Sequence, residues 1–149
     1  MKQPVALFLV ALVAAAAVAV MTASAGDPLT GKITLTAVTV EHHAQGVFPG
    51  AMETWQYSLS SIRRAANRPF GYMVLSCVRI DDGTTLRQCM GTASLPRGKL
   101  VMEGSFLYSS IWTLAVTGGG GIYIGAHGTV TSIQLHASTS TSTLTFTLN

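Results

Sequence analysis

Few residues in this chain are of types that do chemistry, and their spacing decides most cases. The run Ala115–Gly128 reads AVTGGGGIYIGAHG. Its glycines either cradle a phosphate or let strands turn and approach one another. A dinucleotide loop needs G-x-G-x-x-G between a strand and a helix, so that helix N–H groups meet the phosphate. Gly118 and Gly120 would need a third glycine at Tyr123, and Gly119 and Gly121 would need one at Ile124. No lysine follows to complete a P-loop. The continuation IYIGAHGTVTSIQL is β-branched and alternating rather than helical. The glycines therefore read as a tight strand connection with close backbone approaches.

Glu41 is the first acid–base candidate. It shares the parity of Ile33, Leu35 and Ala37, so period-two alternation predicts that it points into the same interior. There a carboxylate could stabilise developing positive charge or act as a base; the plainer reading is a solvated strand-end carboxylate. Glu103 has the opposite parity to Leu100, Met102 and Phe106, which counts against it. His42 and His43 are adjacent, so on a strand they face opposite ways and do not share a metal ion; they read as surface histidines, and no metal site is expected. No G-x-S-x-G occurs, and Asp81-Asp82 belong to a turn. Trp55, Tyr57, Phe106, Tyr108 and Trp112 are candidates to line a cavity for an apolar or aromatic guest, or else simply fill the interior.

The elements that must position these residues are strands. After residue 26 no apolar i, i+3, i+4, i+7 pattern appears, whereas alternation at period two recurs, most clearly in Leu144, Phe146 and Leu148 between threonines. Turn signals fall at Phe48-Pro49-Gly50, Asn67-Arg68-Pro69, Asp82-Gly83, Leu95-Pro96-Arg97-Gly98, Gly118–Gly121 and Ser138–Ser142. The runs between them predict about eight strands, near 32–42, 52–61, 70–80, 85–94, 99–108, 111–117, 123–136 and 143–149. This is an all-β chain, a sandwich or a closed barrel, and eight antiparallel strands can close around side chains or one small ligand. Asp82-Gly83 folds Cys77 opposite Cys89, which predicts a hairpin disulfide.

Residues 1–25 have the form of a cleaved export signal: Lys2, the apolar run Val5–Val20 and the small-x-small site Ala23-Ser24-Ala25. The apolar run is short for a spanning helix, so no stable membrane insertion is expected after cleavage. Residues 26–149 then form one domain, secreted or in the cell envelope or periplasm, where two cysteines are readily bridged. The signal inflates the mean hydropathy of +0.44. The formal charge is only +3, and Lys2 leaves with the signal. The one basic cluster, Arg63-Arg64 with Arg68, reads as a solvated loop, so no nucleic-acid partner is expected.

The stretch Thr117–Gly128, strand then TGGGG, an aromatic and G-A-x-G, resembles the signature shared by allene oxide cyclases and plant dirigent proteins. In this chain it comprises Gly118, Gly119, Gly121, Tyr123, Gly125 and Gly128, with Gly120 where the family usually has Ser or Thr. The likeness runs from Phe70 to Asn149 and more loosely from Ile33. It implies an eight-stranded antiparallel barrel, often a homotrimer, with an apolar cavity and no metal or redox cofactor. It implies either a binding barrel that orients an apolar or phenolic guest, or a cofactor-free isomerase or cyclase acting on an unsaturated epoxide or polyketide-like substrate. A filled barrel with a structural or surface role is the third reading. Allene oxide cyclases carry an acidic residue on their first strand, but EHHAQGVFPG does not reproduce its polar neighbours, so that role does not transfer to Glu41.

Overall fold

In the computed structural model the chain forms β1 (Gly31–Ala44), β2 (Met52–Ser61), β3 (Gly71–Arg79), β4 (Leu86–Leu95), β5 (Gly98–Leu107), β6 (Ile111–Gly121), β7 (Gly128–Gln134) and β8 (Thr141–Leu148). Each strand pairs antiparallel with the next, and β8 returns to β1, so the sheet closes into an eight-stranded barrel. The structure describes residues 30–62, 70–81, 85–135 and 140–149. The expected export signal, the Arg63-Arg64-Arg68 cluster and the Asp82-Gly83 turn lie outside them.

Alternation sorts the side chains as the sequence suggests. Leu35, Leu59, Leu75, Leu100, Leu114, Leu144 and Phe146 point inward and are at most 1% exposed. Burying each leucine contributes about 1.5–3 kcal/mol, which is what holds a sheet rich in threonine and glycine together. Cys77 and Cys89 stand directly opposite each other on β3 and β4 and form a disulfide, with Cα atoms 4.0 Å apart.

The barrel is open at one end and closed at the other. The closed end is the work of the glycine motif. A strand expected over 123–136 begins only at Gly128, because Gly121 (φ +68°) and Gly125 (φ +76°) turn the chain between them. That turn folds Tyr123 and Ala126 inward, where both are buried, and the Ala126 amide bonds the Tyr123 carbonyl at 3.0 Å. A Cβ on Gly119 would run into the carbonyl oxygens of Tyr123 and Lys99, and one on Gly128 into that of Thr147. These glycines permit backbone contact, and a strand rather than a helix follows them.

One irregularity matters for everything at the open end. Thr39 pairs with Tyr57, but Glu41 pairs with Gln56, so Val40 is an extra residue in β1. Such a β-bulge reverses the inward–outward alternation beyond it.

Candidate functional site at the barrel mouth

The ends of β1, β3, β5 and β7 and the starts of β2, β4, β6 and β8 surround the open mouth. Within it lies a cavity of about 220 Å³. One wall is aromatic: His42 after the bulge, Trp55 and Tyr57 on β2, Tyr108 just beyond β5, and Trp112 on β6. The other is polar and uncharged, with Thr39 on β1, Ser132 and Gln134 on β7, and Ser142 on β8. Among the described residues no carboxylate lines it. The floor is the packed leucine and phenylalanine layer.

The rings are ordered. His42 stacks on Trp55, centroids 4.8 Å apart and planes 8° apart, and Trp55 faces Tyr108 at 6.5 Å and 19°. Phe106 is not on the cavity wall as expected. It is buried behind Trp112 and stacks on it at 5.3 Å. The glycine motif, with Tyr123, lies at the opposite end and takes no part in the cavity.

Glu41 does not point inward, and the bulge is the reason. It sits opposite the outward-facing Gln56, is 47% exposed, and contacts His43 on the outer surface at 2.6 Å. His42 is exposed, as a surface histidine is expected to be, but it takes the place opposite Trp55 and stacks on it at the rim of the mouth. Parity alone could not find this, because an extra residue leaves no signature in the alternation of VTVEHHA.

The sequence reading also passed over a buried ionic cluster beside the aromatic wall. Glu53, 3% exposed, receives Arg87 through Nε (2.7 Å to Oε2) and Nη2 (3.2 Å to Oε1), and Arg79 through Nη2 (2.7 Å to Oε1). Arg87 also donates through Nη1 to the Thr85 carbonyl at 3.0 Å. Burial pushes the Glu53 carboxyl up, but the hydrogen bonds and charges of Arg87 and Arg79 outweigh it and hold the group below the usual carboxylate value. The Arg87 guanidinium lies 4.2 Å from the Tyr108 ring centroid and 5.9 Å from that of Trp55, so the ionic cluster fixes two rings of the wall by cation–π contact. A signal existed: Glu53 shares the parity of Trp55 and Tyr57, and Arg87 that of Cys89.

Tyr57 sits deeper than Tyr108. Burial, and secondarily the neighbouring Tyr108 phenol, push its hydroxyl above the ordinary phenol range, so it stays protonated and able to donate. Among the described residues no three His, Cys, Asp or Glu side chains gather as a metal site would require.

The barrel superposes on solved structures. The barrel has the dirigent fold. The pterocarpan synthase dirigent protein GePTS1 superposes with a TM-score of 0.63 at 9% identity, covering 80% of this chain and 88% of that one. A pyocyanin demethylase superposes at 0.68 with 20% identity, over 80% of this chain and 100% of its own. AbnU, an exo-specific intermolecular Diels-Alderase, does so at 0.61 with 12% identity, over 79% and 98%. At these identities the likeness is one of dirigent-type architecture. No family model and no curated protein matches the sequence.

Proposed function

We propose that this protein is an exported barrel that binds an apolar or phenolic small molecule at its mouth and constrains its orientation. The observation that carries this is the cavity itself: the lumen is not packed solid, five aromatic side chains wall the space left open, and among the described residues no carboxylate joins them. A filled structural barrel would lack that space, and a carboxylate-driven cyclase would need an acid at its wall. The superposed dirigent, demethylase and Diels-Alderase barrels, named for work on small molecules, support the reading. The Cys77–Cys89 bridge supports export, since such bonds persist in oxidising compartments. The apolar cluster of Met52, Val78 and Met90 on the outer face supports assembly with other copies, a homotrimer by resemblance.

A cofactor-free isomerase or cyclase is the second reading. The protonated Tyr57 phenol inside the cavity favours it, as a donor to a developing oxyanion.

The test is untargeted mass spectrometry of small molecules retained by the purified protein from extracts of its source, beside a Trp112→Ala variant. Aromatic or phenolic compounds should co-purify with the wild type and be lost from the variant. Retention of nothing, or equal retention by both, overturns the proposal.

A further inference from the structure

Ser132 is 3% exposed, lines the cavity, and has no hydrogen-bond partner among the described residues. Tyr57, half-buried on β2, brings a second hydroxyl to the same cavity. A hydroxyl that faces a cavity without a protein partner is free to bond whatever occupies that cavity. Two such hydroxyls therefore indicate the chemistry an occupant can use there. The remaining wall describes the rest of it. His42, Trp55 and Tyr108 are held nearly parallel, at 8° and 19°, and Arg87 clamps the last two from behind. Flat faces at fixed angles favour a flat guest over a puckered or flexible one, because stacking needs coplanar contact.

We propose that Ser132 and Tyr57 are the orienting groups of this site, and that they hold the oxygen-bearing edge of a planar aromatic guest whose ring stacks against the mouth aromatics. This rests on the binding function proposed above and adds the guest's class and its direction in the cavity. Either hydroxyl can donate to a carbonyl or phenolic oxygen, and Tyr57 stays protonated to do so. The oxygen then lies toward Ser132 on β7 and Tyr57 on β2, and the ring toward the other mouth aromatics.

Three ring-matched probes separate the parts of the proposal: 2-naphthol (flat, with oxygen), naphthalene (flat, without) and 2-decalone (oxygen, not flat). Dissociation constants are measured by equilibrium dialysis on wild type, Ser132→Ala and Tyr57→Phe. 2-Naphthol should bind tightest, and each substitution should weaken it about three- to tenfold while leaving naphthalene unchanged. Both variants should melt at or above the wild-type temperature, since neither hydroxyl has a hydrogen-bond partner among the described residues. If 2-decalone or naphthalene binds as well as 2-naphthol, or if the substitutions weaken all probes alike, the orienting role is overturned while the binding function stands. If no probe binds, and extracts also yield no retained compound, both are overturned.

Discussion

Glu53→Gln tests the most exacting part of the site, because it keeps the side chain's shape and deletes its charge. The wild-type carboxylate takes three guanidinium contacts, at 2.7, 2.7 and 3.2 Å, from Arg79 and Arg87, whose side chains are only 14% and 6% exposed. Removing one member of a buried ion pair costs about 3–5 kcal/mol, because the other charge stays buried without it. The amide keeps one acceptor oxygen, so the lower figure applies, about 3 kcal/mol. In a domain of this size that lowers the melting midpoint by roughly 10–15 °C. The pH dependence gives a second handle. Glu53 is held below 4.5, so its contribution is fully present above the unfolded carboxylate range and is lost as pH falls through its own lower value. Thermal melts followed by circular dichroism from pH 7 to pH 3 should show the gap between wild type and variant narrowing with acid. Loosening Arg87 should also weaken the near-ultraviolet signal of Trp55 and Tyr108. A midpoint within about 2 °C of wild type at pH 7, or parallel acid profiles, would refute the assignment of the cluster as a structural keystone.

Three further outcomes are expected. Replacing Cys77 and Cys89 by serine should cost about 3 kcal/mol in urea denaturation, from closing a loop of this length, and alkylation with intact mass should find no free thiol in the native protein. Gly128→Ala should abolish folding or cost more than about 2 kcal/mol, whereas Gly118→Ala, with nothing within 4 Å of its added Cβ, should stay within about 0.5 kcal/mol; denaturation midpoints decide it. Glu41→Gln should leave stability and 2-naphthol affinity unchanged, since its partner His43 is an exposed surface contact; a loss of affinity would return Glu41 to the site.

Much of the barrel was legible because burial and period two are local signals. The last strand, with Leu144, Phe146 and Leu148 between threonines, could be read from eight residues alone. The disulfide was legible because Cys77 and Cys89 are symmetric about a turn dipeptide. The site was less so, for two physical reasons. A bulge is a backbone event set by pairing with a neighbour, so parity wrongly aimed Glu41 at the interior, where the plainer solvated reading holds, and it did not show that the exposed His42 stacks on Trp55 at the mouth. Ion pairs across strands depend on register: Glu53 lies 34 residues from Arg87 and meets it only because β2, β3 and β4 align. The start of β7 was misjudged because Tyr123 looks like a strand residue, yet positive φ at the flanking glycines turns it into a plug.

The single surplus residue at Val40 has a practical meaning for anyone comparing related chains. With the ladder regular and the same letters, a carboxylate would look into the cup and an imidazole would look away. Deleting Val40 would restore regularity and still leave the imidazole inside. Relatives that differ by one residue here can thus share a mouth, while relatives of equal length can carry opposite acid–base character there. Counting positions along that strand, before comparing identities, decides which of the two a given chain holds.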